Sequence, residues 1–378
     1  MLKKYRRITG LFLVFVIAFV LFAPATVHAS VNATSGKVSL ESDVSSCIND
    51  MVSGFFSGKP GQYKIGEAIA IYNADVRCTY YIVPVFHNTT CVATVEVGTN
   101  GSVVLSDEVS LYNASLSMVN TGYFLYTTGG ITYAENPDEI IELYRSGFEV
   151  DADDVFLLNA YVDKKAEISK ALALAQTQID ISSVITQCGS INLSESVLRG
   201  AVPSTEMEGC GITNFVTQGD YNICWAACVA TIVNYKKGRS LTARNVADAM
   251  GHDYLDRIGY PGADVYETKD AVNMYGLSYR AFAGKLTWSN VKTYIQNDYP
   301  FIIGLMTTYQ DSFGETIVNK HMVTGYEYEC SYGDAYTDAD QRYVNIWDPN
   351  GRHRALRYNA TTYSIDGYQW IWHETVAD

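Results

Sequence analysis

Hydrophobic and polar residues follow several distinct patterns, and the first lies at the start of the chain. A basic run, MLKKYRR, is followed by the apolar run LFLVFVIAFVLFA and by Val27-His28-Ala29. This order is typical of a signal peptide, residues 1–29. The apolar run is shorter than the roughly 20 residues of a transmembrane helix. We therefore expect a secreted protein, extracellular or bound to the cell wall, with no membrane contact after signal cleavage; an uncleaved anchor is the alternative.

Residues 30–198 combine helical and strand periodicities. Apolar residues recur at three- and four-residue steps over 44–56, which predicts an amphipathic helix. Strands are predicted at GEAIAIYN, TYYIVPVFH, TCVATVEV and SVVLS. Asn100-Gly101 predicts a hairpin turn between the last two, and Pro84 predicts an edge position or a bulge.

Two further helices are predicted at the end of this region. Asn136, Pro137 and Glu139 resemble a capped helix start before IIELYRSG, and VDKKAEISKALALAQTQI continues the helical pattern. Residues 30–198 are therefore predicted to form a separate α+β domain.

Periodicity disappears between Cys188 and Gln218, where the chain is polar, contains glycine and is interrupted by Pro203. This pattern predicts a linker over residues 199–215 that is open to proteolysis. Arg199 is a candidate maturation site, and so is any bond between residues 195 and 215.

Residues 202–378 contain short helical patterns followed by a series of strands. Helices are predicted at TARNVADAMG, ADVYETKDAVNMYG and TWSNVKTYIQND. Strands are predicted at FIIGLMT, HMVTGYEYE, RYVNIWD, HRALRYN and YQWIWHE. The fold class is therefore α+β, with helices preceding a mainly antiparallel sheet.

Charge and cysteine content exclude some classes of protein. The net charge is −14, and we find no basic patch beyond the first residues, which argues against nucleic-acid binding. The eight cysteines are too sparse for a disulfide scaffold in 378 residues, and their pairing cannot be deduced from sequence.

Cys224 is the first candidate for chemistry. It opens the apolar helix of NICWAACVATIVNYKKG, where free backbone N–H groups and the positive end of the helix dipole favour a thiolate. The alternatives are a metal ligand, a disulfide partner and a small buried residue. A zinc site with Cys228 lacks the Cys-x2-Cys spacing and a second ligand pair, so we expect no metal and no cofactor. Cys228 is interpreted as a packing residue.

Three other residues complete a candidate constellation. Gln218 lies six residues before Cys224 and offers a carboxamide donor for an oxyanion hole. His321 opens the predicted strand HMVTGYEY and is the candidate base, whereas the other histidines nearby resemble surface or strand-end residues. Asp348, before Pro349, is the candidate orienting group. Asn345 competes for that role, and a simple turn aspartate is the structural alternative.

Taken in order, Gln218, NICWAAC, YPFIIGL, KHMVTGYEY and NIWDPNG resemble the papain-like cysteine peptidases of bacteria (clan CA), especially the staphopain-like and bacteriocin-leader-processing branches. The resemblance implies a two-lobed catalytic domain, with a helical lobe and a sheet lobe on either side of a substrate cleft. It implies that Cys224 is the nucleophile, His321 the base and acid, Asp348 the orienting group and Gln218 the oxyanion donor.

The resemblance also implies a role for the N-terminal region. In secreted members of such families a comparable segment is a propeptide that assists folding and occludes the cleft. We therefore expect a zymogen of a secreted cysteine endopeptidase, acting on protein or peptide substrates, with residues 30–198 as an intramolecular inhibitor and chaperone. A cysteine amidase or peptidoglycan hydrolase and a catalytically inactive binding protein remain as alternatives.

Overall fold

A computed structural model describes most of the chain. The described residues are 48, 51–52, 55–56, 61–66, 68–76, 78–98, 102–119, 121, 123–136, 138–145, 190–193, 205–255, 262–310, 316–331 and 342–378. The predicted signal peptide, the helix predicted at VDKKAEISKALALAQTQI, and Arg199 lie outside these residues. Among the described helices, no helix is long and apolar enough to cross a membrane.

The described elements include both helices and strands. The helices are α1 (Ser110–Val119), α2 (Cys224–Lys237), α3 (Ala243–Ala249), α4 (Val265–Met274) and α5 (Trp288–Gln296). The strands are β1 (Gly61–Ile65), β2 (Ile69–Asn73), β3 (Cys78–His87), β4 (Thr90–Val97), β5 (Val103–Ser106), β6 (Phe124–Thr128), β7 (Ile131–Glu135), β8 (Ile140–Arg145), β9 (Ser190–Leu193), β10 (Thr205–Gly209), β11 (Arg280–Ala283), β12 (Phe301–Gln310), β13 (Thr316–Ser331), β14 (Arg342–Asp348), β15 (Arg352–Arg357), β16 (Tyr363–Ile365) and β17 (Tyr368–Ala377). The fold is therefore mixed α+β, as predicted.

The N-terminal strands are arranged around β3. One edge of β3 pairs with β1 and β2, and the other edge pairs with β4, which forms the predicted hairpin with β5. Pro84 pairs with Thr94 of β4, and on its other side it falls in the gap between the residues that pair with β1 and those that pair with β2. A proline, which has no N–H to donate, is tolerated at such a gap. Pro84 is therefore not in an edge strand, the first of its two predicted positions, but the register of β3 and β4 shifts directly after it, between Val85 and Phe86, as expected for the second, a bulge.

The helix predicted at IIELYRSG is wrong, because residues 140–145 form β8. The Asn136 side chain accepts hydrogen bonds from the backbone N–H groups of Asp138 and Glu139, as in a helix cap. The same Asx turn also reverses the chain, and β8 then pairs antiparallel with β7. Sequence analysis also did not identify α1, β6 and β7.

The C-terminal elements follow the predicted order. Thr242 caps α3 and Asp264 caps α4, each through a capping box with the residue three positions later. The strands pair antiparallel in the order β15–β14–β13–β12–β17–β11. The prediction that His321 opens its strand is wrong. Strand β13 begins at Thr316, and its residues before His321 pair with β12.

The two halves share one sheet. Strand β5 pairs antiparallel with β15, with Ser106 opposite Arg354 and Val104 opposite Leu356. Val104 packs in the same apolar core as Leu356 of the C-terminal half. The region predicted as a linker, residues 199–215, contains the short strand β10, which pairs with β13 of the C-terminal half. Strand β9, just before this region, pairs with β1 of the N-terminal half. The chain therefore passes from one half to the other between residues 193 and 205.

Gly367 provides a test of how tightly the halves fit. Its φ is +81°, and an added Cβ would lie 2.7 Å from Nδ2 of Asn73 and 2.7 Å from Cδ1 of Tyr80, both in the N-terminal half. We expect Gly367→Ala to lower the free energy of unfolding by roughly 2–4 kcal/mol, from the left-handed backbone and from overpacking. Urea denaturation measures the loss.

Gly284→Ala is the matched control. Gly284 has a φ of +78°, but nothing lies within 4 Å of an added Cβ. Its loss should be limited to the backbone penalty of about 1–2 kcal/mol. Equal losses in the two variants would show that the contact between the halves is looser than the structure indicates.

Candidate active site

Cys224 is the first residue of α2. The helix is apolar and its first ten residues are buried, while it ends at Gly238 in a left-handed conformation after Lys236 and Lys237. Ile223 precedes it and makes no side-chain capping bond, so the first-turn N–H groups are not capped by that residue. The Cys224 side chain therefore lies at the positive end of a buried helix dipole.

His321 of β13 lies beside this thiol. The backbone N–H of Met322 contacts Cys224 Sγ at 3.4 Å, and the His321 ring is hydrogen-bonded to the Cys224 side chain. Cys224 is 7% exposed and His321 is 4% exposed. The sheet and α2 thus bring a thiol and an imidazole together in a largely water-free position.

Asp348, the last residue of β14, orients the imidazole. Its Oδ1 is 2.9 Å from Nε2 of His321, and its Oδ2 accepts a hydrogen bond of 3.0 Å from Nε of Arg354. The backbone N–H of Asn350 also donates to Oδ1 at 3.0 Å, which closes the turn after the strand. Asp348 is completely buried.

Asn345, the competing residue, does not face His321 in the structure. Its side-chain amide donates instead to a carboxylate oxygen of Glu327 on β13. The geometry therefore places Asp348, and not Asn345, against the imidazole.

Gln218 lies in the loop that leads to α2. Its side chain is buried, and its backbone N–H donates to the carbonyl of Pro349 at 3.0 Å. This bond joins the loop to the turn that follows Asp348. The loop before Cys224 and the turn after Asp348 are thus held together.

The electrostatics of the His321–Asp348 pair oppose the effect of burial. Burial lowers the pKa of His321, but the Asp348 carboxylate and its hydrogen bond, together with Cys224, raise that pKa to about 10. Burial raises the pKa of Asp348, but the charges of His321 and Arg354 lower that pKa below its usual range. The favoured state is therefore an imidazolium held by a carboxylate, next to the thiol.

Cys228 lies one turn after Cys224 and is completely buried. Burial raises its pKa well above the usual value for a thiol. Of the other histidines, His252 packs against Trp225 and His353 is hydrogen-bonded to Tyr326. Among the described residues, no group of three or more histidine, cysteine and acidic side chains is arranged to hold a metal ion.

Sequence reasoning missed Arg354. The segment HRALRYN was predicted as a strand, with no role for its arginines, but Arg354 and Arg352, just before this segment, are both buried. The available signal was that residues two apart share one face of a strand, and that Leu356 continues this face with an apolar residue. Arg354 contacts both Asp348 and Asp366, and it therefore belongs to the surroundings of the site.

Comparison with known proteins points in the same direction. Residues 212–376 match the model of a family described as Peptidase_C39 like. This segment includes Gln218, Cys224, His321 and Asp348. The match supports cysteine peptidase chemistry in the C-terminal half, without singling out the staphopain-like branch that the sequence motifs resemble.

Other comparisons were less informative. No curated protein matches the chain. Among solved structures, a protein from Bacillus anthracis described as a C39-like peptidase is 14% identical, with a TM-score of 0.30, and the alignment covers 46% of this chain and 98% of that protein.

Proposed function

We propose that the protein is a cysteine peptidase that uses Cys224 as its nucleophile. The observation that carries the proposal is the continuous line of contacts from the Cys224 thiol through His321 to Asp348, at the start of a buried helix. A thiolate, an imidazolium and an orienting carboxylate are the groups that acyl transfer by a cysteine requires. In this proposal Cys224, His321 and Asp348 take these three roles.

The proposed reaction proceeds through a thioester. The Cys224 thiolate attacks the peptide carbonyl, and the backbone N–H of Cys224 and the Gln218 amide stabilise the oxyanion. His321 then donates its proton to the leaving amine as the C–N bond breaks. Water, deprotonated by His321, attacks the thioester; the C–S bond breaks, the acid product leaves, and the Cys224 thiolate and the His321 imidazolium are regenerated. Asp348 holds the imidazole in the orientation that both steps need.

We further propose that the protein is exported through residues 1–29 and acts outside the cell on protein or peptide substrates. In this proposal the chain is made as a zymogen and is cut within residues 195–215. Comparing the intact masses of secreted wild type and Cys224→Ala tests for self-processing. A mass change in wild type alone supports autocatalytic cleavage.

Selective alkylation tests the nucleophile directly. We expect iodoacetamide at pH 6 to modify Cys224 before the other described cysteines, because its thiol lies at the start of α2 beside the His321 imidazole. Burial raises the pKa of Cys91 to about 11 and that of Cys210 to about 12, so few of their thiolates exist at that pH. Peptide mass spectrometry after limited labelling identifies the modified residue.

His321→Ala is the control for this experiment. It removes the imidazolium and leaves the cysteine in place, so labelling of Cys224 at pH 6 should become much slower. If wild type and His321→Ala label at the same rate, Cys224 is not activated. Release of cell-wall fragments without hydrolysis of peptides would instead indicate an amidase.

A further inference from the structure

The side chain of Arg354 links the candidate catalytic residues to the N-terminal half of the chain. Arg354 is 3% exposed. It lies on β15, the strand of the C-terminal half that pairs with β5 of the N-terminal half. Its backbone is opposite Ser106 of β5 in the shared sheet. Without the N-terminal half, β15 would be an edge strand with unpaired backbone groups.

The contacts of Arg354 fix the orientation of the Asp348 carboxylate. Its Nε donates a hydrogen bond of 3.0 Å to Oδ2 of Asp348, while Nε2 of His321 is hydrogen-bonded to Oδ1 at 2.9 Å. A carboxylate held at both oxygens cannot rotate without losing a charged hydrogen bond. Nη2 of Arg354 also contacts Oδ2 of Asp366 at 3.5 Å, so the guanidinium is itself held from a second side.

Asp366 is in turn held by a carboxylate of the N-terminal half. Oε2 of Glu96 accepts from the backbone N–H of Asp366 at 2.8 Å, and Oε1 accepts from Gly367 at 2.9 Å and from Ser364 at 2.7 Å. Asn73 donates a further bond of 3.3 Å to the carbonyl of Asp366. The turn between β16 and β17 is thus inserted into the N-terminal half.

Burial of this charged group depends on both halves. The cavity beside it is lined by Thr94, Glu96, Val104 and Ser106 from the N-terminal half and by Arg352 and Arg354 from the C-terminal half. Loss of the first set would expose Arg354 to water, and its interaction with Asp348 would be screened. Among the described residues, β15 and the β16–β17 hairpin make hydrogen bonds to the N-terminal half.

We propose that Arg354 is a positioning residue for Asp348 and that the N-terminal half keeps Arg354 buried. In this proposal the N-terminal half stays bound in the active enzyme after any cleavage between residues 193 and 205. The inference rests on the proposed function as far as it concerns catalysis. It keeps the assisting role predicted for the N-terminal region, but that region remains as a part of the enzyme and is not discarded.

Controlled cleavage of the full-length protein tests retention. A recognition site for a sequence-specific protease is placed between residues 193 and 205, and the protein is cut after folding. We expect the two fragments to elute together in size-exclusion chromatography and the cut protein to keep its activity. Separation of the fragments under native conditions would overturn the proposal. This outcome does not depend on whether the protein is a peptidase.

Arg354→Gln and Arg354→Lys test positioning. We expect Arg354→Gln to lower kcat by about 10- to 100-fold with little change in KM, because the reacting groups are displaced. The fall in activity at high pH should also begin at a lower pH, since a poorly held carboxylate stabilises the His321 imidazolium less. Arg354→Lys retains the charge and should restore part of both properties.

A purely structural role would lower the amount of folded enzyme but leave the pH profile unchanged. The charged groups that face His321 are Asp348 and Cys224. Those that face Arg354 are Asp348, Asp366, Glu96 and Arg352. Arg357→Gln, on the opposite face of the same strand, is the matched control and should keep the wild-type profile.

An unshifted profile in Arg354→Gln would overturn the positioning role. The same profile can be recorded as the rate of Cys224 alkylation against pH. If the wild-type protein shows no peptidase activity, the proposed function is wrong. The alkylation profile still tests the positioning role in that case.

Discussion

Replacing Cys224 by alanine is expected to lower kcat/KM for peptide hydrolysis by about 10⁵- to 10⁶-fold, as for other enzymes that lose their nucleophile. The thioester bond is formed by Sγ of Cys224, and neither His321 nor Asp348 can replace this atom. Initial rates with an unstructured protein substrate, measured at several enzyme concentrations, give the loss. The fold should be retained, because the loss of one sulfur atom leaves only a small cavity.

Cys228→Ala is the matched control for this variant. It makes the same chemical change one helical turn later, at a side chain that is completely buried and has a strongly raised pKa. We expect a small loss of stability and activity close to that of wild type. If Cys228→Ala is as inactive as Cys224→Ala, the loss reflects damage to α2 and not removal of a nucleophile.

Asp348→Asn is expected to have the second largest effect, with a loss of about 10²- to 10⁴-fold in kcat/KM. The amide cannot neutralise the imidazolium, and it presents an N–H₂ group where an acceptor is needed. Because the Asp348 carboxylate raises the pKa of His321 to about 10, its loss should lower that pKa and move the high-pH fall in activity to lower pH. A pH profile of kcat/KM measures this shift.

The same substitution should also destabilise the protein. Removing one partner of a buried ion pair typically costs about 3–5 kcal/mol, because the other charge remains buried. The Asp348 contribution is present above its unfolded pKa of about 4 and is lost as the pH falls through its depressed folded pKa. The His321 contribution is complete below about pH 6.5 and is lost as the pH rises through the raised folded pKa.

The difference in stability between wild type and Asp348→Asn should therefore be largest between about pH 4 and pH 6.5. Asn345→Ala is the control, because Asn345 contacts Glu327 and does not face His321. It should lose some stability and keep both its activity and its pH profile. A larger loss of activity in Asn345→Ala than in Asp348→Asn would reverse the assignment of the orienting residue.

Local patterns predicted the elements that carry the site. The start of α2 at Cys224, the caps at Thr242 and Asp264, and the end of β14 at Asp348 depend on residues within a few positions of each other. Such signals can be found in a single sequence. The geometry also brings Cys224, His321 and Asp348 together, although their roles stay predictions until the variants are measured.

The features that were missed depend on distant partners. The turn at Asn136 satisfies the same hydrogen bonds before a helix or before a strand, and only the pairing of β8 with β7 decides between them. Arg354 is of a residue type that usually lies at the protein surface. Its burial follows from β5, whose position beside β15 no local pattern indicates.

The insertion of the β16–β17 turn into the N-terminal half also sets the order of folding. Glu96 and Asp366 are 270 residues apart in the sequence, so closing this loop requires almost the entire chain. Such contacts form late and slow the folding reaction. During synthesis, Glu96 and β5 can make these contacts only after the last strands have been made. Arg354 is enclosed only then, so a partly made chain would lack the complete set of contacts around the His321–Asp348 pair.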